Sequence, residues 1–246
     1  WDIHSGELKT VFRRHEGAVR IVTFTKDDKA LSAGDDCVIR MWEKDTGVQI
    51  KEFIGHSALI SQLEVYQDNK HFISSGDDGT MRLWRLKSGN QISLFSGHTD
   101  EIWSLSVSQD EKQALTGSKD GTVRIWELGD SRIPSKKIDM GEPVSSVAFL
   151  PNNRYGVFAA SKICIWDLEE GKNVFSFPGH LGALFSLDYS PVSQLGISTS
   201  SDDTLRVWNF RSGEEAGVLA FHPKGFRIAT ISPNGYKALA AIGSTV

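Results

Sequence analysis

Short runs of alternating apolar and polar residues dominate the chain. Thr80-Met81-Arg82-Leu83-Trp84 and Thr122-Val123-Arg124-Ile125-Trp126 alternate with the two-residue period of a β-strand. Ile102-Trp103-Ser104-Leu105-Ser106-Val107 reads the same way. Turn residues punctuate these runs. Gly76-Asp77-Asp78-Gly79 and Lys119-Asp120-Gly121 are hairpin signals, and Asp45-Thr46-Gly47, Lys87-Ser88-Gly89, Glu170-Gly171 and Arg211-Ser212-Gly213 each end a strand. No segment keeps helical periodicity beyond a turn or two. The pattern predicts an all-β fold of short strands.

The strands recur as a unit. Trp1, Trp42, Trp84, Trp126, Trp166 and Trp208 stand 40 to 42 residues apart, and an interval this constant marks an internal repeat. Ten residues before the closing Trp lie Ser32, Ser74, Thr116 and Ser198; six before it lie Asp36, Asp78, Asp120 and Asp202. A Gly-His step opens the next unit at Gly55-His56, Gly97-His98 and Gly179-His180, with His15 and His222 in the same place. Each unit reads as four strands.

An all-β chain with this period and punctuation resembles the WD-repeat family of β-propellers. The literal Trp-Asp pair stands only at Trp1-Asp2 and Trp166-Asp167; Glu43, Arg85, Glu127 and Asn209 follow the other tryptophans. The resemblance implies that Trp, Ser or Thr, His and Asp of one unit meet in a hydrogen-bonded chain. It also implies one propeller domain over residues 1–246, with blades near 17–54, 59–96, 101–138, 143–178, 183–220 and 225–246. Residues 1–13 complete the last blade in this reading: Leu8 to Phe12 form its outermost strand, and Trp1 belongs with Val246. Seven blades, or part of a larger propeller, is the alternative. The chain begins at Trp1 and stops at Val246 inside a unit, so it reads as a piece of a longer product.

Two units depart from the pattern. The fourth has Met140 at the His position, and its Phe158-Ala159-Ala160-Ser161-Lys162 stretch lacks the Asp and Gly of the turn. The sixth keeps His222 but ends in Ala240-Ala241-Ile242-Gly243-Ser244. Local softness is expected in the fourth.

Composition narrows the function. At 39% apolar and 24% charged residues the chain is ordinary globular material. A net charge of −4 gives a nucleic-acid partner no electrostatic support. No apolar run spans a bilayer. Two cysteines make no disulfide framework and favour an intracellular, cytoplasmic setting. Five of the seven histidines and three of the four aspartate pairs belong to the repeat, while His4, His71 and Asp27-Asp28 fall in polar stretches. None shows metal-ligand spacing, so no metal, cofactor or catalytic residue is expected. An enzyme acting at the channel mouth, or a ligand-sensing domain of a larger signalling protein, are the rival readings to a non-catalytic interaction scaffold.

What differs between equivalent positions marks the candidate binding surface. Five residues after the His position stand Arg20, Ser61, Trp103, Ser145, Phe185 and Arg227; three after it stand Leu59 and Glu101; Lys119 precedes its turn Asp. Trp103 is the one Trp outside the closing position. Aromatic residues and Arg dominate interface hot spots, and this set suits a peptide carrying an acidic or phosphorylated group. Blade-to-blade packing is the competing explanation for its aromatic members.

Overall fold

The computed structural model describes residues 2, 4–129, 134–223, 225–232 and 234–242. These residues hold β-strands and no helix. Sheet one contains β1 (Val19–Phe24), β2 (Lys29–Gly34), β3 (Val38–Glu43) and β4 (Gln49–Ile54). Sheet two contains β5 (Ile60–Val65), β6 (His71–Gly76), β7 (Thr80–Arg85) and β8 (Gln91–Ser96). Sheet three contains β9 (Ile102–Val107), β10 (Gln113–Ser118), β11 (Thr122–Glu127) and β12 (Pro134–Asp139). Sheet four contains β13 (Ser146–Phe149), β14 (Tyr155–Ala159), β15 (Ile163–Asp167) and β16 (Lys172–Phe177). Sheet five contains β17 (Leu184–Ser190), β18 (Leu195–Ser200), β19 (Thr204–Asn209) and β20 (Glu214–Phe221). β21 (Ile228–Ile231) and β22 (Ala238–Ala241) pair as a sixth, two-stranded sheet. Strands pair antiparallel in chain order throughout.

The cores lie between adjacent sheets. Ile39 and Phe53 of sheet one pack with Ile60, Phe72 and Trp84 of sheet two, and Met81 and Phe95 pack with Ile102 and Trp126 across the next junction. The first strands lie against one another in series from β1 to β21. Side chains tie these inner strands together across the junctions. Ser61 Oγ donates to the Ile102 carbonyl at 2.6 Å, and the Val147 and Ala229 amides donate to Ser104 and Ser186 Oγ at 3.0 Å each.

Each of four sheets carries the expected polar chain. In sheet three the Trp126 indole N–H donates to Thr116 Oγ1 at 2.8 Å. His98 Nε2 lies 2.7 Å from the same hydroxyl, and its Nδ1 lies 2.8 Å from Asp120 Oδ2. The carboxylate only accepts, so Nδ1–H donates to it; Nε2 then accepts the threonine proton. Burial pushes the His98 ring down to about 4 although Asp120 opposes this, so the ring is neutral near pH 7. The same chain joins Trp42, Ser32, His15 and Asp36; Trp84, Ser74, His56 and Asp78; and Trp208, Ser198, His180 and Asp202.

The turns explain which residues flank these aspartates. Gly79 and Gly121 sit at φ of 68° and 80°, where glycine carries no steric cost. Cys37 and Asp203 take the same left-handed position at 61° and 65° without it.

Sheet four lacks the chain. Phe158 stands opposite Cys164 as Thr116 stands opposite Arg124, so a phenyl ring replaces the hydroxyl. The Trp166 indole nitrogen is consequently buried without a hydrogen-bond partner. The short turn is held by the Ala160 amide on the Lys162 carbonyl at 3.1 Å and the Ser161 amide on Glu142 Oε1 at 3.2 Å. Ser161 and Lys162 are exposed. Amide deuterium exchange is expected to be faster from Ala159 to Lys162 than from Lys119 to Thr122, where the Asp120 carboxylate and backbone bonds pin the turn. Equal or slower exchange would contradict the structural weakness assigned to this turn.

The N-terminal segment packs where an outermost strand belongs. Phe12 stacks on Trp42 with ring centroids 5.2 Å apart, the place Phe53, Phe95 and Phe177 hold against Trp84, Trp126 and Trp208. Thr10 Oγ1 donates to the Asp45 carbonyl at 3.2 Å. Residues 8–12 nevertheless carry no strand assignment, and the sixth sheet has two described strands rather than four. Trp1 and Val246, expected to meet, lie outside the described residues.

Candidate functional site

The hairpin geometry places one end of every inner strand beside a second-to-third-strand turn. Residues from sheets one to five thereby line one central cavity of about 530 Å³, among them Arg20, Leu59, Ser61, Trp103, Ser145 and Phe185. Glu101 lines it too. Arg227 reaches the same rim: its guanidinium carbon lies 4.8 Å from the centroid of the Phe185 ring. Lys119 joins through Glu101, with Nζ 2.8 Å from Oε1. Seven of the nine residues read from the sequence line the cavity, and Arg227 and Lys119 each contact one of the seven.

Their roles there differ. Arg20 grips Asp35 with Nε at 2.7 Å and Nη2 at 3.3 Å. The Asp35 carboxyl is held below its ordinary range by that guanidinium. Trp103 is only half-buried, and its indole N–H donates to Glu101 Oε2 at 2.8 Å. Lys119 and then Trp103 hold Glu101 below the usual carboxylate range. Ser61 and Ser145 use their hydroxyls on backbone carbonyls, Ser145 Oγ donating to Ala159 at 3.1 Å. These two shape the wall and hold the inner strands.

Asp77 also lines the cavity. Partial burial raises its carboxyl above the ordinary value, with Glu101 adding to the shift. Asp35 and Asp77 precede the turn aspartates as Lys119 does, so the sequence series that contains Lys119 contains them as well.

A second cavity of about 790 Å³ runs from Trp103 over sheet four, past Pro143, Ser161 and Lys162 to Leu181. Trp103 therefore stands between the central cavity and a groove over sheet four, which lacks the polar chain. The sequence marked that unit as irregular but gave no sign of a groove, because its depth depends on loops from two neighbouring sheets. Among the described residues no group of three or more His, Cys, Asp and Glu is arranged to hold a metal ion.

Four sheets of one register, each joined by the same Trp, hydroxyl, His and Asp, define a class of repeat protein. The WD domain, G-beta repeat family matches residues 6–43, 47–85, 89–127 and 171–209, more than half of the sequence, and the chain belongs to the WD40 repeat family. The unmatched stretch between residues 127 and 171 holds most of the unit with Phe158 and Met140 in the pattern positions.

Among curated proteins the chain is 36% identical over 93 residues to eukaryotic translation initiation factor 3 subunit I of Emericella nidulans and of Aspergillus terreus. These alignments cover 36% of this chain and 27% of each relative. The subunit from Coccidioides immitis is 36% identical over 78 residues, covering 32% of this chain and 23% of the relative. The chain spans about a quarter of the length of the curated relatives it matches.

Proposed function

We propose that this chain is a non-catalytic interaction scaffold that seats partner polypeptides across the central cavity. The observation that carries this is Trp103. Trp42, Trp84, Trp126 and Trp208 are at most 1% exposed, whereas Trp103 is half-buried where two cavities meet. A ring so placed offers a partner side chain a large apolar face with little entropy left to lose.

The frame in this reading is a single six-bladed propeller in which the N-terminal segment completes the last blade. Phe12 on Trp42 supports it, since Phe53, Phe95 and Phe177 of three outer strands also meet the closing Trp of the next sheet, edge-on where Phe12 stacks. An acidic or phosphorylated partner group has Arg227 to meet, because no ion pair engages its guanidinium among the described residues. Arg20 is neutralised by Asp35 and contributes only if that pair opens. Likeness to translation initiation factor 3 subunit I suggests a cytoplasmic multi-subunit assembly as the setting.

The test is capture on the immobilised chain from a mixture of purified initiation factor 3 subunits. Wild type is expected to retain at least one subunit. The variant carrying Arg20→Ala, Trp103→Ala, Phe185→Ala and Arg227→Ala is expected to retain at least about tenfold less, as hot-spot truncations do. Undiminished retention by the variant would remove the cavity mouth from the binding surface. No retention by wild type would remove the translation setting.

A further inference from the structure

We infer that the cleft between sheets one and two is a separate binding site, shaped for an acidic polypeptide segment that also carries an apolar side chain. The cleft has a volume of about 630 Å³. Met41 and Leu86 give it an apolar floor, and Lys70, Arg85 and Lys87 line it from sheet two. Lys29 and His71 also line it but are already paired, with Asp27 and Asp68 respectively. Lys70, Arg85 and Lys87 have no ion pair among the described residues, and Lys51 brings a further ammonium to the Leu86 and Lys87 carbonyls.

The repeat supplies an internal comparison. A backbone bond from Leu86 N to the Lys70 carbonyl recurs as Leu128 on Lys112 and Leu168 on Arg154, each at 2.8 Å, and so identifies equivalent residues. In sheet four Arg154 occupies the Lys70 position. Its guanidinium is held by Asp167 at 2.7 Å, with Glu169 at 3.8 Å. Asp167 corresponds to Arg85 and Glu169 to Lys87. Sheet three carries Glu127 at the Arg85 position. The two acids that neutralise Arg154 in sheet four are thus replaced by two cations in sheet two. Three unpaired positive charges converge there on a chain whose net charge is −4.

The chemistry of the occupant follows. A carboxylate can take two parallel hydrogen bonds from Arg85 while Lys70 and Lys87 complete its surroundings. An apolar side chain beside it covers Met41 and Leu86. A nucleic acid fits less well: the floor is apolar rather than a set of phosphate donors, and Asp27 and Asp68 stand beside the cations. The site shares no lining residue with the central cavity.

The full chain, labelled for NMR, would be titrated with a short peptide of alternating Glu and Leu. Control probes are the same peptide with Lys for Glu, the same with Ser for Leu, and a single-stranded oligonucleotide. Shifts are expected at Met41, Lys70, Arg85, Leu86 and Lys87, with weaker binding of the Ser peptide and none of the Lys peptide. The double variant R85D/K87E copies the residues of sheet four and is expected to weaken the Glu-Leu peptide at least about tenfold. K70Q is a milder second variant, expected to weaken it by a smaller factor. The four-residue cavity-mouth variant is expected to keep the shifts at the cleft, which separates this site from the one proposed above. Three results would overturn the inference: unchanged affinity in folded R85D/K87E, shifts that leave the cleft untouched, or tighter binding of the oligonucleotide at the cleft.

Discussion

Trp126→Ala is expected to lower the free energy of unfolding by about 3–5 kcal/mol, the range for a large buried aromatic. The ring is fully buried, packs edge-on against Phe95 at 5.9 Å, and joins sheets two and three in one core. Its loss opens a void and removes the donor to Thr116, at the head of the chain through His98 to Asp120. In a domain of this size each kcal/mol lowers Tm by about 2–4 °C, so a drop on the order of 10 °C is expected in thermal denaturation. Trp103→Ala is expected to cost less than about 1 kcal/mol, because its ring faces the cavities and its N–H serves only the exposed Glu101 pair. Equal destabilisation by the two substitutions would make Trp103 a core residue. Trp166→Phe provides an internal contrast. It removes an indole N–H that is buried without a partner, so it should cost little, whereas Trp126→Phe breaks a made hydrogen bond.

Stability is also expected to depend on Glu64 between pH 4.5 and about 7. Burial at the junction of sheets two and three pushes this carboxyl up to about 7, against the Val107 amide that donates to it at 3.0 Å. A folded value above the unfolded one means the folded state binds the proton more tightly. The contribution is complete below the unfolded value of about 4.5 and is lost as pH rises through about 7. Wild type is therefore expected to lose about 2–3 kcal/mol from this group between pH 4.5 and pH 8. Glu64→Gln keeps an acceptor for Val107 and cannot ionise. It should match wild type near pH 4.5 and exceed it by about that amount near pH 8. The comparison must be made variant against wild type at each pH. His98, lowered by burial to about 4, loses its own contribution as pH falls below about 6.5, and that dependence cancels in the difference. A constant difference across the range would show that Glu64 stays ionised in the folded chain.

The fold was legible because its determinants are local and repeated. Ser32, Asp36 and Trp42 sit at fixed offsets within one unit, and the same offsets return in Ser74, Asp78 and Trp84. The hydrogen-bonded chain then follows from the donors and acceptors those residues own. The rim of the central cavity was legible for a related reason: one position per unit faces it, so a single column from Arg20 to Arg227 names it. What that column could not reveal is pairing. Asp35 neutralises Arg20, and Ser61 is committed to the Ile102 carbonyl. The first depends on χ angles within one unit, and the second on a neighbouring unit.

The side cleft was written in the sequence but hard to read. Arg85 stands where Glu43, Glu127, Asp167 and Asn209 follow the other tryptophans, and such variation looks neutral in a linear alignment. Its meaning appears only when the β6–β7 hairpin brings Lys70 to the same cleft as Arg85 and Lys87. Glu64 left no sequence signal at all, since Ser106 and Asp188 fill the same position in other units and make the same kind of contact.

The central claim is that partners bind over the cavity mouth of a rigid repeat frame. Its most direct measurement is capture by wild type and by the Arg20→Ala, Trp103→Ala, Phe185→Ala, Arg227→Ala variant, run beside thermal denaturation of both. The expected result is a variant with nearly unchanged Tm that retains at least about tenfold less of an initiation factor 3 subunit held by wild type. A variant that unfolds at the same temperature and still holds that subunit as tightly as wild type would contradict the claim.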